Sequence, residues 1–355
     1  MSVATAIVTA DKPSATLAAE AVRQAIAKLG ASQANSVLLY LSSDFAANPQ
    51  AAIKAAAKAA STTQVVGCSA TGIFTEDDWV ADGAAAAAMV FTGDVSIGNA
   101  AADASLVLSL VAPNAINTTW LDSPSAKFGG VSGDATGRGA FSVWQNAKGS
   151  TQGYCEIALH NTAGAVAASH GLKLLSSARR ITQAQGFDCV EIGNLKALSI
   201  LNNAWQKHQP NQPLATHQLM AVFANKASDI ERGDYFISPI IAGNEGEQSV
   251  TLAHQLQQGQ WMAWAVRDVD AAQLDIVKMV AQLKKQLVLK PQFALMFSCL
   301  GRGPYFYDGM DLDLGLVKTL LPDVPLIGFY GNGEIAPILG KNTILPYSAV
   351  LGLFA

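Results

Sequence analysis

Four glycine-containing stretches stand where an apolar run ends: GCSATG after Val66, GGVSGD after Phe128, CLGRG after Ser298 and GFYGNGE after Ile327. Glycine loops of this kind let backbone come close to a bound molecule and leave N–H groups free to donate. Together they carry Gly67, the thiols of Cys68 and Cys299, the carboxylates of Asp134 and Glu334, the guanidinium of Arg302 and the amide of Asn332. An arginine can grip a carboxylate with two parallel hydrogen bonds, and a glutamate can accept from an ammonium. The set therefore suits an amino acid or a related zwitterion. Two plainer readings stay open: the glycines only make turns, and Arg302 and Glu334 form an ion pair joining two strands. Cys299 beside Arg302 has one requirement of a nucleophile, a neighbouring cation. No histidine is placed by sequence to act as its base, and a cysteine enzyme or redox switch using Cys299 or Cys68 is the alternative reading.

Several chemistries are excluded by what is absent from the sequence. It has no H-E-x-x-H, G-x-S-x-G or S-x-x-K, and Gly340-Lys341 is followed by Asn342 where a phosphate-binding loop needs serine or threonine. The four cysteines are far apart, so neither a disulfide framework nor a structural zinc is expected, and no metal or cofactor is assigned. A net charge of -4 offers no basic field for nucleic acid. The opening MSVATAIVTADKPSA lacks the charged region and apolar core of a signal peptide, so none is expected, and the longest apolar stretch, near Ala84–Phe91, falls well short of the roughly 20 residues of a membrane span. A cytoplasmic protein without membrane insertion is expected. His170 ends an apolar run and reads as a hydrogen-bonded structural group.

The elements that must hold these residues are read from periodicity. Half of the 355 residues are hydrophobic and only 14% are charged, as expected of long buried strands. SVLLYLSSD leads through an alanine-rich helix after Pro49 to QVVGCSATGIF and then AAAAAMVF; near the end, FALMFSCLGRG leads through DLDLGLVKTLL to PLIGFYGNGEI and then SAVLGLFA. The orders match, which indicates a duplicated strand-helix-strand-strand unit. Asp311 should cap the later helix and Pro322 stop it, and a second helix is expected over Asp268–Leu289. The short segments between, TTWLDS and QWMAWAVRD among them, are expected as strands. The polar stretch Asn202–Gln218 reads as a connection. The fold class is α/β or α+β, with large mixed sheets covered by helices and two halves, 1–205 and 206–355, in contact.

FSCLGRG, GFYGNGEIAP and the final YSAVLGLF resemble the C-terminal half of the FIST domain, and VVGCSATG, GGVSGD and SHGLKLLSSARRITQAQGFDCVEIGNLKAL resemble its N-terminal half. The resemblance covers nearly the whole chain. It implies a sensory domain of prokaryotic signal transduction that binds small molecules such as amino acids, with site positions mapping to Gly67, Cys68, Cys299, Arg302, Asn332 and Glu334. Since the FIST-like part uses up the chain, the output is expected to pass to a separate signalling partner. The use of related domains beside F-boxes leaves a protein-interaction scaffold as a further alternative. The chain departs from the resemblance at Leu345-Pro346, where a histidine-glycine pair is expected.

Overall fold

The computed structural model describes residues 2–101, 104–133 and 141–355. These fall into two compact units, one made of the chain up to Ser169 with Asp275–Ala355, the other of His170–Leu274. The expected 205/206 boundary falls inside the helix Ala197–His208, within the second unit. Part of the stretch expected as a connection is thus helical. Leu198, Leu201 and Trp205 bury one face of that helix, and the polar residues between them hide the spacing from view.

The first unit consists of three six-stranded sheets that share one topology. Each is built from a repeat of four strands, and the duplication seen in the sequence is a triplication. The strands are Val3–Ala10, Ser36–Ser42, Val65–Ala70 and Ala84–Phe91 in the first repeat. They are Ser96–Asn99, Leu106–Val111, Ala126–Val131 and Tyr154–His160 in the second. In the third they are Gly164–Ser169, Phe293–Cys299, Leu326–Gly331 and Ala349–Phe354. Every sheet runs first, fourth, second, third, with the second and third strands parallel and the others antiparallel. In every repeat a short 3-10 turn and a helix link the second strand to the third: Pro49–Ala60, Thr118–Leu121 and Leu312–Leu320. TTWLDS, expected as a strand, holds the single helical turn of the second repeat.

After its third strand each repeat sends a hairpin into a neighbour's sheet. Gly72–Thr75 of the first pairs with Leu326–Gly331 of the third, Glu334–Ile338 of the third with Ala126–Val131 of the second, and Val143–Gln145 of the second with Val65–Ala70 of the first. The exchange closes on itself, so no repeat has a complete sheet without another.

Gly67, Gly129 and Gly328 occupy the same register position, opposite Leu39, Ser109 and Met296 on the parallel neighbour. A Cβ added at Gly67 would lie 1.7 Å from the Leu39 carbonyl oxygen, and at Gly328 1.9 Å from that of Met296. These glycines let the parallel strands meet while Trp144 and Phe74, from the exchanged hairpins, lie across them. A methyl here must push backbone, so Gly67→Ala is expected to cost about 2–4 kcal/mol, read as a lowered urea midpoint at an unchanged slope.

The expected Asp311 cap is present, and Asp268 caps a second helix in the same way. Asp311 Oδ1 accepts from the Leu314 amide at 2.9 Å, and Asp268 Oδ1 from that of Ala271 at 2.8 Å at the start of the helix Val269–Leu287. The first sheet is covered by Ala15–Lys28 and Pro49–Ala60, and the third by the part of Val269–Leu287 from Ile276 onward with Leu312–Leu320. Among the described residues the second repeat has no helix between its first two strands. Its outward face is correspondingly polar. Ser109, Lys127 and Glu156 stand where the first repeat has Leu39, Val65 and Ala88 and the third has Met296, Leu326 and Leu351. Lys127 pairs with Glu156 and lies over the Trp120 ring, 4.9 Å from its centroid. A charge pair substitutes for the apolar layer that a covering helix would complete.

The second unit is a closed ring of six antiparallel strands. Trp261–Arg267 pairs with both Arg179–Gln185 and Leu219–Ala224, and Asp188–Ile192, Ser249–Leu252 and Phe236–Asn244 complete the circuit. Closure leaves no free edge, and the helix Ala197–His208 packs Leu198, Leu201 and Trp205 against Trp264, Phe223 and Ile181. His170 belongs to this unit and stacks on Tyr235, ring centroids 5.0 Å apart.

Candidate functional site

The carboxyl ends of the three third strands of the first unit meet. The Gly133 amide donates to the Ser69 carbonyl at 3.2 Å, and Thr71 Oγ1 to the Gly133 carbonyl at 2.8 Å. Val131 N donates to Gly333 O at 2.8 Å, Asn332 N to Val131 O at 3.1 Å, and Asn332 Nδ2 to Ser132 O at 3.0 Å. Thr71 and Asn332 hold equivalent positions in their repeats, each tying its loop to that of the second repeat. Leu300 N donates to Gly331 O at 2.9 Å, so all four glycine stretches noted in the sequence are brought together. Asp134 lies outside the described residues.

Glu334 is the residue that breaks the three-fold pattern. By register its equivalents are Ile73, opposite Phe329, and Val143, opposite Cys68, as Glu334 is opposite Gly130. All three are completely buried. Two are the β-branched residues that a strand interior favours; the third is a carboxyl neither of whose oxygens has a hydrogen-bond partner. Burial pushes its pKa well above the ordinary carboxylate range; the Ser348 amide and the charge of Arg302 act the other way from nearby, but neither makes a hydrogen bond of good geometry to the carboxyl oxygens. Leu345, at the departure from the resemblance, is the register partner of Glu334 on the other side. A histidine there would stand opposite the carboxyl, and the leucine gives it no polar partner.

Arg302 has partners of its own. Its Nε donates to Asp313 Oδ2 at 2.8 Å, and its two terminal nitrogens donate at 2.8 Å to the Ser169 carbonyl and hydroxyl oxygens. Tyr307 donates to Asp313 at 2.5 Å, and Ser169 Oγ to Asp275 at 2.9 Å. Burial alone would lower the Arg302 pKa, but Asp313 and Tyr307 hold it above its ordinary value. The ion pair offered as a structural alternative therefore exists with Asp313 in place of Glu334. Alongside it, Tyr330 donates to Asp311 at 2.5 Å. Burial raises the pKa of Asp311, and burial with the Asp311 charge raises that of Tyr330. Asp311, Asp313, Tyr307 and Ser169 were missed as a network in the sequence. The one available signal is the density of tyrosine and aspartate in PYFYDGMDLD, directly after the glycine stretch that holds Arg302.

Gly67 and Cys68 serve the strand pairing. Cys68 is fully buried in the row Ala87, Tyr40, Cys68, Val143, which faces the interior, and Cys155 is in the equivalent row Cys155, Leu110, Gly130, Glu334. Burial raises the Cys68 thiol well above its ordinary pKa, reinforced by the nearby Cys155, which burial pushes up to about 12. Neither has the lowered pKa of a nucleophile. In the folded protein at pH 8, Cys68 and Cys155 are expected to react with iodoacetamide at least ~100-fold more slowly than in urea, as read by mass spectrometry. Cys299 is also buried and closes the second strand of the third repeat, its amide donating to the Ser348 carbonyl at 3.0 Å. Among the described residues no group of three metal-ligating side chains occurs, and no helix is long and apolar enough to cross a membrane.

The fold and these strand ends define a mixed α/β module of three like four-strand repeats with a second unit inserted in the third. Residues 35–194 match the FIST N domain and residues 197–337 the FIST C domain, and the chain belongs to the FIST family, whose domains are associated with sensing in signal transduction. Among curated proteins it is 27% identical over 233 residues to Uncharacterized protein Mb0898c of Mycobacterium bovis, covering 65% of this chain and 60% of that protein. It is 26% identical over 229 residues to Uncharacterized protein MT0656 of Mycobacterium tuberculosis, covering 64% and 60%. The matched region spans about 60% of the length of these relatives.

Proposed function

We propose that the protein is a non-enzymatic cytoplasmic sensor that binds a small molecule where the third strands of the three repeats end, and passes the signal to a separate partner protein. The observation that carries this reading is Glu334, a buried carboxyl without a hydrogen bond at a position where the sister repeats have Ile73 and Val143. A group so placed costs stability, and binding a donor would recover that cost. The ligand therefore brings an ammonium or an amide N–H, as an amino acid does. Asn332 and Cys299 flank the same strand ends as ligand contacts. Arg302, fixed by Asp313 and Ser169, supplies a nearby positive charge, while Gly67 and Cys68 shape the strands behind. Four buried cysteines that form no disulfide suit a reducing compartment.

A thermal-shift screen against amino acids, amines and small carboxylates, run on wild type and Glu334→Gln, tests this. A ligand specific to the native state adds about 2.7 kcal/mol at a hundred times its Kd. The expected result is a hit with an amine-bearing compound that is lost in Glu334→Gln. Hits indifferent to Glu334, or none among amine-bearing compounds, would overturn it.

A further inference from the structure

In the first and third repeats a long helix leads into the second strand, and the chain leaves each helix through a residue in the left-handed region. After Ala15–Lys28 that residue is Gly30, at φ +64°, with open space where a Cβ would stand. After Val269–Leu287 it is Val288, at φ +62°. Glycine is the usual residue at such a helix end, and a β-branched one is strained there. Val288 is also 87% exposed, and Leu289 beside it 61%. The third repeat therefore holds two apolar side chains out in water on a strained backbone, where its sister repeat has a relaxed glycine. Strain of this kind gathers at segments whose conformation serves a contact.

Directly after this tip, Lys290 and Pro291 line an open groove of about 670 Å³ whose walls also include Val3, Thr92, Gly93 and Asp323. Its accessible wall is more apolar than polar, and a Cβ on Gly93 would meet nothing within 4 Å. Lys290 and Asp323 are on the two neighbouring helix-to-strand loops of the third repeat, which the Ala294 amide ties together by donating to the Pro325 carbonyl at 2.8 Å. Both are exposed, and among the described residues neither is in an ion pair. We propose that this face is a self-association surface: in a two-fold dimer the Val288-Leu289 tip enters the groove of a second copy, and Lys290 of each copy pairs with Asp323 of the other. A two-fold interface must be complementary to itself. A knob beside a groove, with one charge of each sign, meets that condition on a single face, which is what identifies the occupant as a second copy. The contact is small, so the dimer is transient and forms at tens of micromolar, roughly the range of weak encounters. The inference does not depend on the ligand reading of Glu334.

Sedimentation velocity of the full chain over about 1–200 µM tests this, with a reversible monomer–dimer equilibrium as the expected result. Val288→Gly removes the knob and relieves the strain. It should weaken the dimer about tenfold or more while raising the urea midpoint, so that misfolding is not the cause. Lys290→Asp and Asp323→Lys should each weaken it about fivefold or more through like-charge contacts, and both changes on one chain should restore it to within about threefold of wild type, since the swapped charges still face each other. A wild type that stays monomeric across the range would overturn the inference. So would a dimer unaffected by Val288→Gly, which must form through another face, or a double charge variant that associates no more tightly than either single one.

Discussion

Glu334→Ile is expected to make the protein more stable by about 1–3 kcal/mol while removing its response to ligand. Isoleucine is what the first repeat has at the same register, Ile73, so the backbone and the neighbouring row already accept that shape. Removing a buried polar group that has no hydrogen bond recovers its desolvation cost, about 1–3 kcal/mol from mutational data. The gain should depend on pH. A carboxyl whose pKa is raised in the folded protein binds its proton more tightly there than in the unfolded chain, so its stability contribution is present in acid. That contribution is lost as pH rises above the unfolded value of ~4.3 toward the raised folded one. The difference between variant and wild type should therefore widen from pH 4 upward, as chemical denaturation across that range would show. A variant less stable than wild type at neutral pH would mean that the carboxyl makes a stabilising bond.

Arg302→Ala should have the largest effect in the other direction, a loss of about 3–5 kcal/mol in urea denaturation. The cost comes mainly from what remains. Asp313 would be left fully buried with Tyr307 as its neighbour, and the Ser169 carbonyl would lose its donor. The double variant Arg302→Met/Asp313→Leu removes both charges and should recover part of that loss, because members of one network are not additive. Loss of ligand response in Arg302→Ala alone therefore reports on folding as much as on binding, and for that reason Glu334 carries the functional test.

Much of the first unit was legible in the sequence. The second-strand, helix, third-strand and fourth-strand order of two repeats is visible because both keep apolar strands and a glycine at one register position, Gly67 and Gly328. The third copy was hidden. Its strands carry Ser109, Lys127 and Glu156 on the outward face, and its helix is a single turn, so neither hydropathy nor periodicity marks it. The hairpin exchange could not be read either, since a short strand such as Val143–Gln145 has the same pattern whichever sheet receives it. The insertion of His170–Leu274 into the third repeat has no linker-like stretch at its ends to mark it. At the site, Arg302 and Glu334 could be singled out in the sequence, but not the surroundings that each meets. Asp313 lies only eleven residues beyond Arg302 yet reads as an ordinary first-turn helix acid, while Glu334 and Arg302, adjacent as motifs, make no bond to each other.

The most direct test of the central claim, that Glu334 is a carboxyl without a partner held in an apolar position, is its own titration. Side-chain carboxyl carbons of 13C-labelled glutamate can be followed by NMR against pH, with Glu334 identified by the signal missing from Glu334→Gln. A midpoint well above the ordinary ~4.3 in the free protein is the expected result, moving down when an amine-bearing ligand binds. A midpoint at the ordinary value in the folded protein would show a solvated or paired carboxylate and contradict the account.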